Sequence, residues 1–120
     1  MRDAGIPQSD WHFADLVIQN ESGWWPTKWN GQYGFCPETP TERPANSSGA
    51  YGLGQALGAE KMAPFGDDWK TNPVTQLRWA AAYALGRYST WEAAWTFKQC
   101  VGWCHNPKTG WSGVKSHSWW

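Results

Sequence analysis

The sequence predicts a mainly α, single-domain protein, and three observations carry that expectation. Apolar residues recur at spacings of three and four through Trp11, Ala14, Val17 and Ile18, the stripe of an amphipathic helix. Asn72 followed by Pro73 marks a second helix start, because the asparagine side chain caps and proline's fixed torsion suits the first helical position. No segment sustains strict apolar/polar alternation, which leaves room only for a long loop or a small hairpin between Trp29 and Tyr51. The 120 residues suffice for one domain spanning 1–120, with a helical core over about 10–101 and a tryptophan-rich tail over 102–120.

Taken in order, Met1 to Ser9 reads as an extended lead-in, with Ser9 the N-cap of a helix that runs through Glu21. Ser22 and Gly23 end that helix, since glycine tolerates helix-terminating torsions and Pro26 follows closely. Trp24 to Ser48 is rich in Pro, Gly, Thr and Asn and reads as a long loop bounded by Pro37, Pro40 and Pro44. A glycine-spaced stretch, Gly49 to Gly58, leads into a short helical segment around Ala56 to Ala63, and its glycines imply close backbone approach to a neighbour. The helix opened by Asn72 and Pro73 carries Leu77, Trp79, Ala80, Tyr83, Ala84 and Tyr88. Another opens at Ser89 to Glu92, with the serine-to-glutamate spacing of a capping box, and runs to about Cys100. The tail from Gly102 onward has little period and is expected to be irregular.

Ten acidic and ten basic residues balance, so no overall basic field points to nucleic acid. No apolar run approaches the roughly 20 residues that span a bilayer, so no membrane insertion is expected, and no charged-then-apolar leader is visible in this sequence, which does not exclude export. Twelve tryptophans are the outlying feature. Indole is too large and too polar at its N–H for a small domain to hide twelve, so several should line a surface groove, where flat aromatic faces suit the C–H faces of sugar rings.

One ordered set of motifs points to chemistry. Gln19, Asn20, Glu21, Ser22, Gly23 and Trp24 are followed by Ser48, Gly49, Ala50, Tyr51, Gly52, Leu53, Gly54 and Gln55. The order continues through Asn72, Pro73, Gln76, Trp79, Tyr83, Arg87 and Tyr88 to Ala93, Ala94 and Trp95. This constellation, over roughly residues 10 to 100, resembles the soluble lytic transglycosylase family of the lysozyme superfamily. The resemblance implies a lysozyme-like fold with Glu21 at the end of the first long helix, facing a cleft whose opposite wall includes the glycine-rich segment. By the same resemblance Ser48, Tyr51, Gln55, Tyr83 and Trp95 would line the cleft and bind substrate.

The implied activity is cleavage of the MurNAc–GlcNAc β-1,4 bond of bacterial peptidoglycan. Breaking that bond requires a proton on the leaving oxygen, so Glu21 must stay protonated near neutral pH; apolar neighbours raise a carboxyl's pKa, and Trp24, Trp25 and Leu53 are candidates. No second carboxyl is placed opposite Glu21 by its spacing, neither Asp67 and Asp68 nor Glu38 and Glu42. The resemblance accommodates this, because lytic transglycosylases use one glutamate and form a 1,6-anhydro sugar. The alternatives are a hydrolytic muramidase and a non-catalytic peptidoglycan-binding module on the same fold. The sequence departs from the family at the end of the last helix, where Ala94, Trp95, Thr96, Phe97 and Lys98 replace an Ala-Tyr-Asn-Ala-Gly pattern, and Gly31 to Asn46 reads as an insertion.

No cofactor and no metal are expected. The three cysteines, Cys36, Cys100 and Cys104, with His105 match no strong zinc spacing. A disulfide from Cys36 to Cys104 or Cys100 would tie the loop to the tail, with Cys100 to Cys104 as the local alternative. The expected partner is the peptidoglycan glycan strand, the expected state a monomer, and the expected place of action the bacterial wall, reached by a secreted or phage-associated protein.

Overall fold

Helix α1, Trp11–Ser22, forms where the apolar stripe places it: Ala14, Val17, Ile18 and Ser22 are buried, and Gly23 ends the helix in the left-handed region at φ 63. These features belong to a computed structural model, which describes residues 1–32 and 38–120. The start of α1 differs from expectation. Gln8–Asp10 is a short 3-10 turn that carries Ser9, so Asp10 takes the N-cap position. The lead-in is likewise not extended: Arg2–Ala4 is another 3-10 turn, and Ile6 is buried and accepts a hydrogen bond from Trp11 Nε1 at 2.8 Å.

Helix α2, Pro73–Tyr88, starts as its sequence dictates, with the Asn72 side chain accepting from Val74 N. Helix α3, Trp91–Gln99, is capped by Thr90, which accepts from Ala93 N; Ser89, expected as the cap, instead closes α2 with φ 76. The core lies where α1, α2 and α3 meet, built from Val17, Ile18, Leu77, Ala84, Trp91 and Ala94.

Two small antiparallel pairs complete the fold. Strands β1, Ala50–Tyr51, and β2, Ala56–Leu57, form a short hairpin after the expected location, with Trp29 bridging to Tyr51. Ala56 and Leu57 are therefore strand, and the helical turn begins later, as a 3-10 helix over Ala59–Phe65. The tail is not irregular: β3, Gly102–His105, pairs with β4, Ser112–Lys115, across a turn at Gly110, whose φ of 79 suits glycine. The hairpin escaped the sequence reading because both strands are only four residues long and alternate weakly.

The glycine-rich segment meets α2 rather than open space. A Cβ at Gly52 would lie 2.8 Å from Gln76 Oε1, and one at Gly54 would lie 2.9 Å from the Trp79 ring. Gln76 is fully buried; it accepts from Leu53 N at 2.9 Å and donates to Pro26 O and Trp69 O at 2.8 and 2.9 Å. One side chain thus clamps three loop segments to α2. The protein is mainly helical, and none of the described helices is long and apolar enough to cross a membrane.

Candidate active site

Glu21 stands in the last turn of α1, on the stripe defined by Ala14, Val17 and Ile18, and its side chain is only 13% exposed. A cleft of roughly 490 Å³ opens beside it, and Ser48, Gln55, Leu57, Trp119 and Trp120 contribute to its walls. Among the described residues that line this cleft, Glu21 is the sole one with a carboxyl side chain. Burial raises the Glu21 pKa above the ordinary carboxyl value by disfavouring the charged form, against the opposing pull of Lys98 and, more weakly, Lys28. The negative end of the α1 dipole also disfavours an anion at this position.

Lys98, in α3, is the partner that sequence reading missed. Its Nζ lies 2.8 Å from Glu21 Oε1, and its side chain is 3% exposed. The pair joins α1 to α3 across the cleft floor. A signal was present: Lys98 falls seven residues after Trp91, on the stripe with Ala94, so a lysine stands on the buried face of an amphipathic helix and requires a counter-charge.

The tail forms the other wall. Trp120 is buried and contacts Trp91 and Tyr83 at ring distances of 5.8 and 4.9 Å, while Trp119 packs edge-on against Phe97 and Trp111. Lys115, buried behind them, donates to the carbonyls of Phe97, Lys98 and Trp119, so it caps the C-terminal end of α3 and fixes the tail there at once. Burial, with Lys98 and Arg87 nearby, lowers its pKa to about 8. His117 also lines the Glu21 cleft, on an exposed stretch. Residues so late in the chain carried no sequence signal linking them to Glu21.

The expected site residues divide. Ser48 is exposed at the cleft, and Gln55 lines it while donating from Nε2 to Lys28 O and Gly52 O, at 3.0 and 2.9 Å. Gln55 holds φ 53, so its side chain braces a strained turn as well as facing the cleft. Tyr51 does not line the cleft. It is buried between Trp29 and Trp69, its hydroxyl donates to Lys70 O at 2.6 Å, and burial pushes its pKa up to about 12. Its position in strand β1 turns the ring inward. Tyr83 borders a neighbouring cavity rather than the Glu21 cleft; its hydroxyl accepts from Arg87 at 2.8 Å and donates to Trp120 O at 3.1 Å. Trp95 is half-buried against the core, outside the set of residues lining the cleft. Of the apolar neighbours expected for Glu21, Trp24 bonds to Asp15, Leu53 is core, and Trp25 bonds to Thr27; the cleft's apolar wall is Leu57, Trp119 and Trp120 instead.

Cys100 and Cys104 are bonded to each other, with Cα atoms 6.1 Å apart. This corrects the expected pairing of either with Cys36, which lies outside the described residues together with Pro37. The α3 end and the β3 hairpin bring the two sulfurs together locally, so neither is a thiolate available to a metal.

In comparisons with known proteins, no family model, no curated protein and no solved structure matches the chain.

Proposed function

We propose that the protein is a lysozyme-like enzyme that cleaves the MurNAc–GlcNAc β-1,4 bond of peptidoglycan as a lytic transglycosylase, with Glu21 as the general acid and then base. The observation that carries this reading is a single desolvated carboxyl at a helix end, in a cleft with tryptophan walls. A raised pKa keeps a larger share of Glu21 protonated toward neutral pH than an exposed glutamate would be.

In this mechanism the Glu21 proton passes to the glycosidic oxygen and the bond from that oxygen to the muramyl anomeric carbon breaks. The muramyl 6-hydroxyl oxygen then bonds to the anomeric carbon, and its proton returns to the Glu21 carboxylate. The step consumes no water and needs no second carboxyl side chain, in keeping with the single acidic side chain on the cleft's described walls. Lys98 stabilises the carboxylate that exists between the two proton transfers. It also lowers the Glu21 pKa, so the working value is a balance between burial and this ammonium.

A second reading rests on the same ion pair. A 2.8 Å contact between two nearly buried groups is what a purely structural link between α1 and α3 would also make, and the cleft would then bind glycan without cutting it. Turbidity of purified cell walls separates the two. Clearing by the wild type and its loss, by at least about 100-fold, in Glu21→Gln is the expected result for an essential acid. Unchanged clearing by a folded Glu21→Gln variant rules the assignment out, and retained glycan binding without clearing by the wild type selects the binding module.

A further inference from the structure

Residues 117–120 all contribute to the wall of the Glu21 cleft. They lie beyond the last strand, and residues 116–120 make no backbone-to-backbone hydrogen bond among the described residues. Side-chain contacts therefore hold this wall in place. Trp120 lies against the rings of Trp91 and Tyr88 at 5.8 and 6.4 Å, Trp119 packs edge-on to Phe97 at 5.3 Å, and Ser118 Oγ donates to Lys98 O at 2.8 Å.

Lys115 ends β4 where that segment begins, and it ties the segment to α3. Its Nζ donates to Phe97 O, Lys98 O and Trp119 O at 2.5, 3.3 and 2.7 Å, which uses all three of its N–H groups. Two of these carbonyls stand at the C-terminal end of α3, where acceptors outnumber helical donors. The ammonium also lies over the Phe97 and Trp119 rings at 4.1 and 4.6 Å. The residue is 1% exposed and has no ion pair among the described residues, and the charges that act on it, Lys98 and Arg87, are both positive. Burying a lysine without a counter-charge is costly, and an apolar side chain would fill the same space at less cost. What the lysine adds is the bridge from the Trp119 carbonyl to α3.

We propose that Lys115 is a positioning residue for the Glu21 site: by joining the Trp119 carbonyl to the end of α3, it holds residues 116–120 as the wall that encloses the Glu21 carboxyl. The consequence for catalysis rests on the reading of Glu21 as the acid, whereas the enclosure does not. Burial is the largest influence on the Glu21 pKa and raises it. The groups that face this carboxyl are Lys98 from α3, Lys28 from the loop after α1, His117 from the segment itself, and the α2 hydroxyls of Tyr83 and Tyr88. Loss of the Lys115 charge alone can only raise the pKa of a nearby carboxyl, because a cation favours the carboxylate. Loss of the enclosure lowers it, so the sign of the change separates the two roles.

The test is a carbon-13 NMR titration of protein labelled at the glutamate carboxyl carbons, which needs no substrate; the resonance missing from Glu21→Gln assigns Glu21. The wild-type midpoint should lie above the ordinary carboxyl value. In Lys115→Met, which keeps an apolar stem against the Phe97 and Trp119 rings, the midpoint should move to lower pH. The amides of residues 116–120 should also exchange with solvent faster than in the wild type. If Lys115→Met does not fold, Trp119→Ala decides, because it opens the same wall from the segment side and should shift the midpoint in the same direction. An unchanged or raised midpoint in the folded variant, or unaltered amide exchange in Lys115→Met, would overturn the proposal. A downward shift in a protein that fails to clear walls keeps the role of Lys115 and removes the catalytic role of Glu21, so the two claims fail separately.

Discussion

Glu21 and Lys98 are each placed by helical arithmetic. Glu21 follows Ile18 by three residues and Val17 by four, and Lys98 follows Ala94 by four and Trp91 by seven. Two opposite charges on the buried faces of two helices are a legible pairing, and only Glu21 was read, because its neighbours in sequence resembled a known motif while Lys98 registered as a departure from one. The pair has a pH signature. In the proposed mechanism acid catalysis requires protonated Glu21, so cleavage should fall as pH rises through the raised pKa. Replacing Lys98 by Met removes a charge that lowers this pKa, so the falling limb of a pH–rate profile should move to higher pH. A limb that stays in place would show that another group sets it. The linkage to stability has the same sign: a raised folded-state pKa favours the folded protein most below the ordinary carboxyl range, and that contribution is lost as pH rises through the folded value.

At the scale of elements, the three helices followed from periodicity, with only the Asn72 cap of α2 where it was expected, while the two hairpins did not. Gly52 and Gly54 signalled close approach, and the neighbour proved to be α2. Periodicity cannot reveal such a contact, because Gln76, a polar residue on a helix, gives no sign in sequence that it will bridge three backbone segments. Gln76→Ala would leave Leu53 N–H and two carbonyls without that partner, so a loss on the order of 3 kcal/mol is expected in urea unfolding. A change within a few tenths of a kcal/mol would mean that the clamp is dispensable. The disulfide calls for a smaller figure than a loop-to-tail bridge. Cys100 and Cys104 are four residues apart, and a loop this short contributes about 2 kcal/mol in the chain-entropy model. Replacing both by Ser should therefore lower stability by about that amount; a loss twice as large would point to a role in holding the β3–β4 hairpin against α3.

For the whole molecule, the surplus of tryptophan resolves into a division of labour. Trp79, Trp91 and Trp120 are buried, Trp103 is 72% exposed, and the others are half-buried, among them Trp119 in the cleft wall. Several tryptophans were expected to line a groove; two, Trp119 and Trp120, line the Glu21 cleft, and both come from the far end of the chain. Tail residues reach Glu21 only because Lys115 and the hairpin return the chain to α3, a tertiary consequence with no local pattern behind it. The mainly helical class and the location of Glu21 were therefore legible, and the architecture that encloses Glu21 was not. The central proposal is that this enclosure breaks the MurNAc–GlcNAc bond, and mass analysis of the products released from intact peptidoglycan tests it most directly. The wild type should release muropeptides with 1,6-anhydro-muramyl ends and Glu21→Gln should release none; reducing muramyl ends, intact glycan strands, or the same products from both proteins would contradict the account.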